Sequence, residues 1–248
     1  MGRWTEAART VLPNWAKNAI MSGLGRNDLR WMARRYGTDK WGVHRYADHY
    51  QTHLGHLKRC RFNLLEIGVG GYDLPDQGGA SLRMWKAFFP RANIFAIDIF
   101  EKSKLEEPRI KIFRGSQDDP EFLRRVAQEI GQIDVVIDDG SHVNAHVLAS
   151  YQTLFPLLSS DGIYAIEDMQ TTYWPAFGGT PDATGQDTSV ALIKRLIDGL
   201  NWEEIPNREP TPSDPAIRAL HVYHNLAFII KGDNQEGTRY GNDKAHTG

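Results

Sequence analysis

Short apolar runs alternate with amphipathic stretches through the middle of the chain. Five runs have the length and β-branched composition of buried strands, at residues 62–67, 94–99, 110–113, 133–137 and 163–166. The stretches between them, such as 81–89 and 121–130, repeat apolar residues at helical spacing, and a further helix is expected from about His142 to Leu158. This alternation predicts an α/β fold with a right-handed, doubly wound parallel sheet.

The N-terminal part also has helical spacing of its apolar residues. We interpret residues 1–35 as an N-terminal helical extension, in which Asn27 or Asp28 caps the second helix. A turn over residues 36–40 leads into one more helix before the first strand. That helix is expected to run through His44, Tyr46, Tyr50 and Leu54.

The C-terminal part has a different pattern. Residues 188–200 predict a helix, and residues 219–230 are nearly continuous β-formers. Within them His224-Asn225 is suited to a tight turn, so we expect an antiparallel hairpin at the edge of the sheet. The tail over residues 233–248 is polar and typical of a flexible segment, which leaves residues 36–232 as the main domain.

Composition and charge narrow the functional classes. The chain has 248 residues, 41% of them hydrophobic, with a formal net charge of −2 that gives no general attraction to nucleic acid. No apolar stretch approaches the roughly 18 residues that a membrane span needs, so we expect no membrane partner. The single cysteine, Cys60, fits a reducing cytoplasm. Whether the chain forms a homodimer or a higher homo-oligomer stays open.

Two short acidic clusters each follow directly after an apolar run. They are Asp138-Asp139-Gly140-Ser141-His142 and Glu167-Asp168. The carboxyl ends of parallel strands meet at one edge of a sheet, where open α/β sheets bind ligands. Several acids gathered at one edge are costly unless a positive charge lies among them, and a hard divalent cation is the simplest candidate.

A glycine turn follows the first predicted strand, in Glu66-Ile67-Gly68-Val69-Gly70. Glycine at this point lets the backbone approach a nucleotide-like ligand closely, and Asp98 closes the next strand, where it could accept hydrogen bonds from ribose hydroxyls. The third glycine of a dinucleotide fingerprint is absent, because Asp73 takes its position, and an acidic loop delays the following helix. The acidic Glu66 suits a ligand with an amine and a sulfonium better than a pyrophosphate.

At this point the chain resembles the class I S-adenosylmethionine-dependent methyltransferases, over roughly residues 36–232. That resemblance implies a Rossmann-like sheet with a C-terminal antiparallel hairpin. Within the class the chain is most similar to the metal-dependent sugar O-methyltransferases of the macrocin and mycinamicin type, and it also resembles the mycobacterial methylmannose-polysaccharide methyltransferases. The matching motifs are Gly37-Thr38-Asp39-Lys40 and the two acidic clusters.

The resemblance implies roles for individual residues. Asp139, Glu167 and Asp168 would hold Mg²⁺, or Mn²⁺ in its place, and His142 would be the base. Gln117 would read the adenine edge, whereas Asp118 could instead cap the following helix and Asp138 could simply orient Asp139. The residues expected at the cofactor S-adenosyl-L-methionine are Glu66, Gly68, Gly70, Ser81, Asp98, Gln117, Asp118 and Asp138.

Other interpretations of these residues stay open. His142 could be a helix-start residue bonded to backbone, or it could form a zinc pair with His146 at i, i+4. The acids could be helix caps or surface charge. The aromatic loop over residues 171–179 suits either a lid over a sugar or a loop pinned to the body, and Trp41, His44 and Tyr46 would line the opposite wall.

The predicted function is a Mg²⁺-dependent O-methyltransferase that acts on a sugar hydroxyl of a saccharide or glycosylated natural product. Its acceptor would be a small molecule or an oligosaccharide. Two alternatives remain: a catechol-type methyltransferase, which uses the same metal chemistry on a flat diol, and a non-catalytic cofactor-binding subunit.

Overall fold

The computed structural model of the chain describes Gly25 and residues 27–238. Most of the predicted N-terminal extension, residues 1–24, lies outside the described residues, and so does the tail from residue 239. The part of the extension that is described contains helix α1, Leu29–Tyr36. The carboxylate of Asp28 caps this helix by accepting the N–H groups of Arg30 and Trp31, so of the two predicted caps Asp28 is the one used.

A seven-stranded sheet forms the centre of the fold. The strands are β1 Asn63–Ile67, β2 Asn93–Asp98, β3 Ile110–Arg114, β4 Ile133–Asp138, β5 Leu158–Ile166, β6 Ile217–Tyr223 and β7 Leu226–Lys231. They lie in the order β3-β2-β1-β4-β5-β7-β6. The first five strands are parallel, whereas β7 pairs antiparallel with both β5 and β6. The predicted parallel sheet and its closing hairpin are therefore confirmed.

Helices cover both faces of the sheet and bury apolar residues in two clusters. After α1 they are α2 Tyr46–Leu54, α3 Ala80–Phe88, α4 Pro120–Ile130, α5 Asn144–Leu154 and α6 Ser189–Leu200. On one face the buried Trp85 and Phe88 of α3 pack with Tyr50 of α2. On the other face α4, α5 and α6 cover the alternate side chains of the strands. No helix within the described residues is long and apolar enough to cross a bilayer.

The expected helix from His142 to Leu158 is wrong at both ends. Helix α5 begins at Asn144, and after Leu154 a short 3₁₀ turn leads into β5, which already starts at Leu158. His142 cannot lie in the first turn of the helix because its backbone is left-handed, with φ at 56°. His142 therefore belongs to the loop that follows β4. Similarly, α2 begins at Tyr46, so His44 precedes that helix.

Candidate active site

The acidic residues predicted at the carboxyl edge of the sheet meet there. Asp138 is the last residue of β4 and Asp139 follows it, while Glu167 and Asp168 directly follow β5. Backbone hydrogen bonds fix both junctions. Asp139 donates its N–H to the carbonyl of Ile67 at 3.0 Å, and Glu167 donates to that of Asp138 at 3.0 Å.

Asp139, His142 and Asp168 form a group that could hold a metal ion. Among the described residues, one ligand atom from each lies within 4.8 Å of the others. The Nε2 atom of His142 is 3.9 Å from Oδ1 of Asp139 and 3.7 Å from Oδ2 of Asp168. His142 and Asp168 both have positive φ, a conformation that costs non-glycine residues about 1 kcal/mol or more and recurs at functional sites. Carboxylate oxygens are the donors that Mg²⁺ prefers, so this set fits such an ion.

Lys40 supplies a positive charge inside the acidic cluster. Its ammonium group is fully buried and lies 2.7 Å from Oδ2 of Asp139 and 2.6 Å from Oε1 of Glu167. Burial alone would lower the pKa of Lys40, but the charges of Asp139 and Glu167 outweigh it and raise that pKa well above its usual value. The sequence indicated that the acids need a positive partner and singled out the turn over residues 37–40, but it assigned the charge to a metal only.

Two tyrosines of α2 also reach the acids. Tyr50 donates its hydroxyl to Oε1 of Glu167 at 2.5 Å, and Tyr46 donates to Oδ1 of Asp168 at 2.7 Å. Burial and the neighbouring Asp139 raise the pKa of Glu167 well above its usual value. Oε1 of Glu167 is thus engaged by protein donors, whereas Asp139 and Asp168 lie beside His142. Whether Glu167 also binds the ion, as expected from the resemblance, stays a prediction.

Glu66 is placed in the interior of the fold. Its side chain is fully buried, and it accepts a hydrogen bond from Nε1 of Trp85 at 3.0 Å on one oxygen. The other oxygen, Oε1, has no hydrogen-bond partner among the described residues and lies 3.4 Å from Nζ of Lys40. Burial raises the pKa of Glu66 to about 7. The predicted cofactor residue Glu66 is therefore linked to the acidic cluster through Lys40, and Ser81 is half-buried in the first turn of α3.

The glycine turn after β1 brings its backbone close to the acidic cluster. A side chain at Gly68, where φ is 98°, would meet the carbonyl oxygen of Asp139 at 2.1 Å. At Gly70, where φ is 76°, a Cβ would have open space around it. Asp98 ends β2 and accepts the N–H groups of Val69 and Phe100 at 3.0 and 2.9 Å. A turn with open space and an acid at the next strand end suits a nucleoside cofactor.

Gln117 and Asp138 support the loop after β4, which carries Asp139 and His142. Gln117 donates to Oδ1 of Asp138 at 3.1 Å and accepts the N–H of Ser141 at 2.7 Å. Asp138 is almost fully buried and also accepts the hydroxyls of Ser150 and Tyr164. Asp138 is therefore fixed at the end of β4 by these contacts. That it orients Asp139 or contacts the cofactor, and that Gln117 contacts the adenine, stay predictions.

Asp118 and His146 lie beside each other at the periphery of the site. Asp118 is exposed, and its Oδ2 is 3.4 Å from Nε2 of His146. The cap of α4 is Asp119, whose carboxylate accepts two backbone N–H groups of that helix. The other ring nitrogen of His146 bonds the hydroxyl of Ser141 at 3.0 Å, and His146 is outside the metal-binding group of the described residues. The geometry therefore gives the His142–His146 zinc pair no support.

The aromatic loop after β5 is attached to the body of the protein through Asn144. This side chain donates to the carbonyls of Thr171 and Phe177, at 3.1 and 2.9 Å. Tyr173 and Trp174 are nevertheless substantially exposed. Of the residues expected on the opposite wall, His44 and Tyr46 lie at Asp168, whereas Trp41 lies under the guanidinium groups of Arg30 and Arg34.

Comparison with known proteins gives the site its context, although no protein-family model matches the chain. Mycinamicin VI 2''-O-methyltransferase of Micromonospora griseorubida is 48% identical over 226 residues, covering 88% of this chain and 57% of that protein. Demethylmacrocin O-methyltransferase of Streptomyces fradiae is 48% identical over 229 residues, covering 90% of this chain and 58% of that protein. A solved structure of MycE methyltransferase from the mycinamycin biosynthetic pathway, in complex with Mg and SAH, has 49% identity and a TM-score of 0.83. It matches over 85% of this chain and 56% of that one.

The sheet order, the closing hairpin and this structural match define the class I S-adenosylmethionine-dependent methyltransferase fold. Within that class, the chain is a homologue of the sugar O-methyltransferases of the mycinamicin and macrocin type. The chain spans a little more than half the length of these relatives.

Proposed function

We propose that the protein is an S-adenosylmethionine- and Mg²⁺-dependent O-methyltransferase that acts on a sugar hydroxyl of a glycosylated natural product or saccharide. The observation that carries this proposal is the group of Asp139, His142 and Asp168 at the sheet edge beside the glycine turn. Its support is the homology to the sugar O-methyltransferases of the mycinamicin and macrocin type, and the similarity to a structure that holds Mg and SAH. A cytoplasmic location belongs to the same proposal.

The residues of the site suit transfer of a methyl group to a hydroxyl oxygen. When bound, the divalent ion would supply positive charge that makes a sugar hydroxyl easier to deprotonate. Asp139 and Asp168 would hold the ion, with Glu167 as the third predicted ligand. Imidazole is the side chain that most readily exchanges protons near neutral pH, so His142 would accept the hydroxyl proton. Its Nε2 atom lies 3.9 and 3.7 Å from oxygens of Asp139 and Asp168, so the base is beside the place where the ion would be held.

The remaining predicted residues would position the methyl donor. The open space at Gly70 would take part of S-adenosylmethionine, and Asp98 would accept its ribose hydroxyls. Gln117 and Asp118 would lie near the adenine. Because only a glycine fits at Gly68 against the backbone of Asp139, the cofactor turn lies directly beside the acidic cluster.

Methyl transfer from S-adenosylmethionine to a panel of sugar glycosides, macrolide glycosides and catechols tests the proposal. We expect transfer to a sugar hydroxyl that EDTA abolishes and Mg²⁺ restores. His142→Ala should lower kcat by about 10²- to 10⁴-fold with unchanged affinity for S-adenosylmethionine. His56→Ala, at an exposed histidine away from the edge, is the matched control. Transfer to catechols alone would mean that the acceptor is a catechol and not a sugar. Binding of S-adenosylmethionine without any transfer would identify a non-catalytic subunit.

A further inference from the structure

A cavity of about 310 Å³ lies between the segment that precedes α2 and the turn that joins β6 to β7. Three kinds of element line it: the segment before α2 with Val43, His44 and Arg45, the first turn of α2 with Tyr46 and His49, and the β6–β7 turn with His224 and Asn225. Both segments are at the carboxyl edge of the sheet, because β7 starts beside the end of β5. The cavity is therefore next to the acidic cluster.

Two side chains of the cavity wall contact the cluster directly. Tyr46 donates its hydroxyl to Oδ1 of Asp168 at 2.7 Å, and the same hydroxyl is 3.2 Å from the carbonyl oxygen of Asn225. Nε2 of His44 is 3.7 Å from Oδ1 of Asp168. A ligand in the cavity would thus be separated from a metal-binding carboxylate by the thickness of one side chain.

The wall of the cavity has the chemistry that binds a pyranose. The ring of His44 is stacked on that of Tyr46 with their centroids 4.6 Å apart. Because Tyr46 is buried, the outer face of His44 is the flat surface that the C–H face of a sugar could pack against. The imidazoles of His49 and His224 offer nitrogen atoms to hydroxyl groups. Burial lowers the pKa of His49, which favours the neutral ring. The volume is at the lower end of the range of small-molecule sites, which suits one sugar ring.

We infer that this cavity binds a pyranose ring of the acceptor, and that Val43 and His224 control which acceptors enter. The inference rests on the proposed function and adds a binding place for a sugar ring of the acceptor next to the ring that is methylated at the metal-binding group. Val43 and His224 are both exposed at the cavity and contact neither Asp139 nor Asp168, so they can change acceptor binding while the metal-binding group stays intact.

The test compares Val43→Trp and His224→Ala with the wild-type chain. Saturation-transfer NMR and calorimetry would measure binding of methyl α-L-rhamnopyranoside, and of the best acceptor from the panel, in the presence of S-adenosylhomocysteine and Mg²⁺. Val43→Trp should weaken acceptor binding at least 10-fold, and His224→Ala several-fold. The affinities for S-adenosylhomocysteine and Mn²⁺ should stay within twofold of the wild type. Val222→Trp, at a half-exposed β6 position outside the cavity, is the matched control and should bind the acceptor normally.

The outcomes separate this inference from the proposed function. Methyl transfer with unchanged acceptor KM and unchanged glycoside binding in both cavity variants would overturn the inference and leave the function standing. Failure of the wild-type chain to bind any glycoside of the panel would also overturn it. Glycoside binding that the variants weaken, without any methyl transfer, would support the cavity and contradict the function. Circular dichroism would verify that each variant is folded. If Val43→Trp does not fold, His224→Ala alone tests the inference.

Discussion

Nζ of Lys40 lies 2.7 Å from Oδ2 of Asp139, although the two residues are 99 positions apart in the chain. The same ammonium contacts Glu167 and approaches Glu66, so a permanent cation is at the centre of the acidic edge. The contact engages one oxygen of Asp139, while the other faces His142. Lys40 therefore holds the acids in place before any metal ion arrives.

Replacing Lys40 with methionine should destabilise the fold, because it leaves buried carboxylates without their partner. Removal of one member of a buried ion pair costs about 3–5 kcal/mol, and the free energy of unfolding measured with urea should fall by that amount. Lys104→Met, at an exposed lysine, is the control and should change little. Equal stability of the two variants would show that Lys40 does not stabilise the acidic cluster.

Gln117→Ala should loosen the loop that carries Asp139 and His142. The variant loses the donor to Asp138 and the acceptor for the N–H of Ser141, and an unsatisfied buried group costs about 1–3 kcal/mol. We expect reduced stability in urea and weaker Mn²⁺ binding, since the loop would no longer be fixed. Gln128→Ala, at an exposed position of α4, should have neither effect. Unchanged Mn²⁺ affinity in Gln117→Ala would contradict the supporting role of Gln117.

The stability of the fold should depend on pH through His53. Burial, together with the neighbouring His221, His49 and His56, lowers the pKa of His53 to about 4, and its ring nitrogen bonds the hydroxyl of Tyr223 at 2.8 Å. Between pH 4 and about 6.5 the unfolded chain binds a proton that the folded chain does not.

Stability is therefore fully present above about pH 6.5 and declines as the pH falls towards 4. Melting temperatures of the wild type and of His53→Gln, measured between pH 4.5 and 7.5, would test this. The variant should show a shallower decline at low pH. An identical slope in the two proteins would mean that His53 makes no contribution.

Asn144→Ala should release the aromatic loop over residues 171–179. The side chain of Asn144 donates to two loop carbonyls, and its oxygen accepts the N–H of Ser189 at the start of α6. The variant should be cut faster by a protease within this loop, because its backbone would open more often. Asn201→Ala, at an exposed asparagine after α6, serves as the control. Equal cleavage rates would show that other contacts hold the loop.

Much of the fold was predictable because parallel strands buried on both faces give continuous apolar runs. The runs at 133–137 and 163–166 therefore located β4 and β5, and the carboxyl-edge rule then brought Asp139 and Asp168 together. The turn at His224-Asn225 was predictable for a local reason, since asparagine tolerates the positive φ of 61° that Asn225 adopts.

The parts that were not predictable depend on contacts between distant segments. The ion pairs of Lys40 join a turn before α2 to the ends of β4 and β5, and spacing along the chain contains no information on such contacts. The left-handed backbone of His142 is imposed by the loop around it, so helical spacing wrongly extended α5 over this residue. The burial of Glu66 was not predictable either, because its contact with Trp85 depends on how α3 packs against the sheet.

In the proposed function, Asp139 and Asp168 hold a divalent metal ion beside the base His142. Titration of Mn²⁺ followed by electron paramagnetic resonance tests it most directly, with the wild type compared with Asp139→Asn and with Asp182→Asn at an exposed loop position. We predict one Mn²⁺ bound by the wild type and by Asp182→Asn, and an affinity at least 10-fold weaker for Asp139→Asn. Equal Mn²⁺ affinity in all three proteins would contradict the assignment of the site.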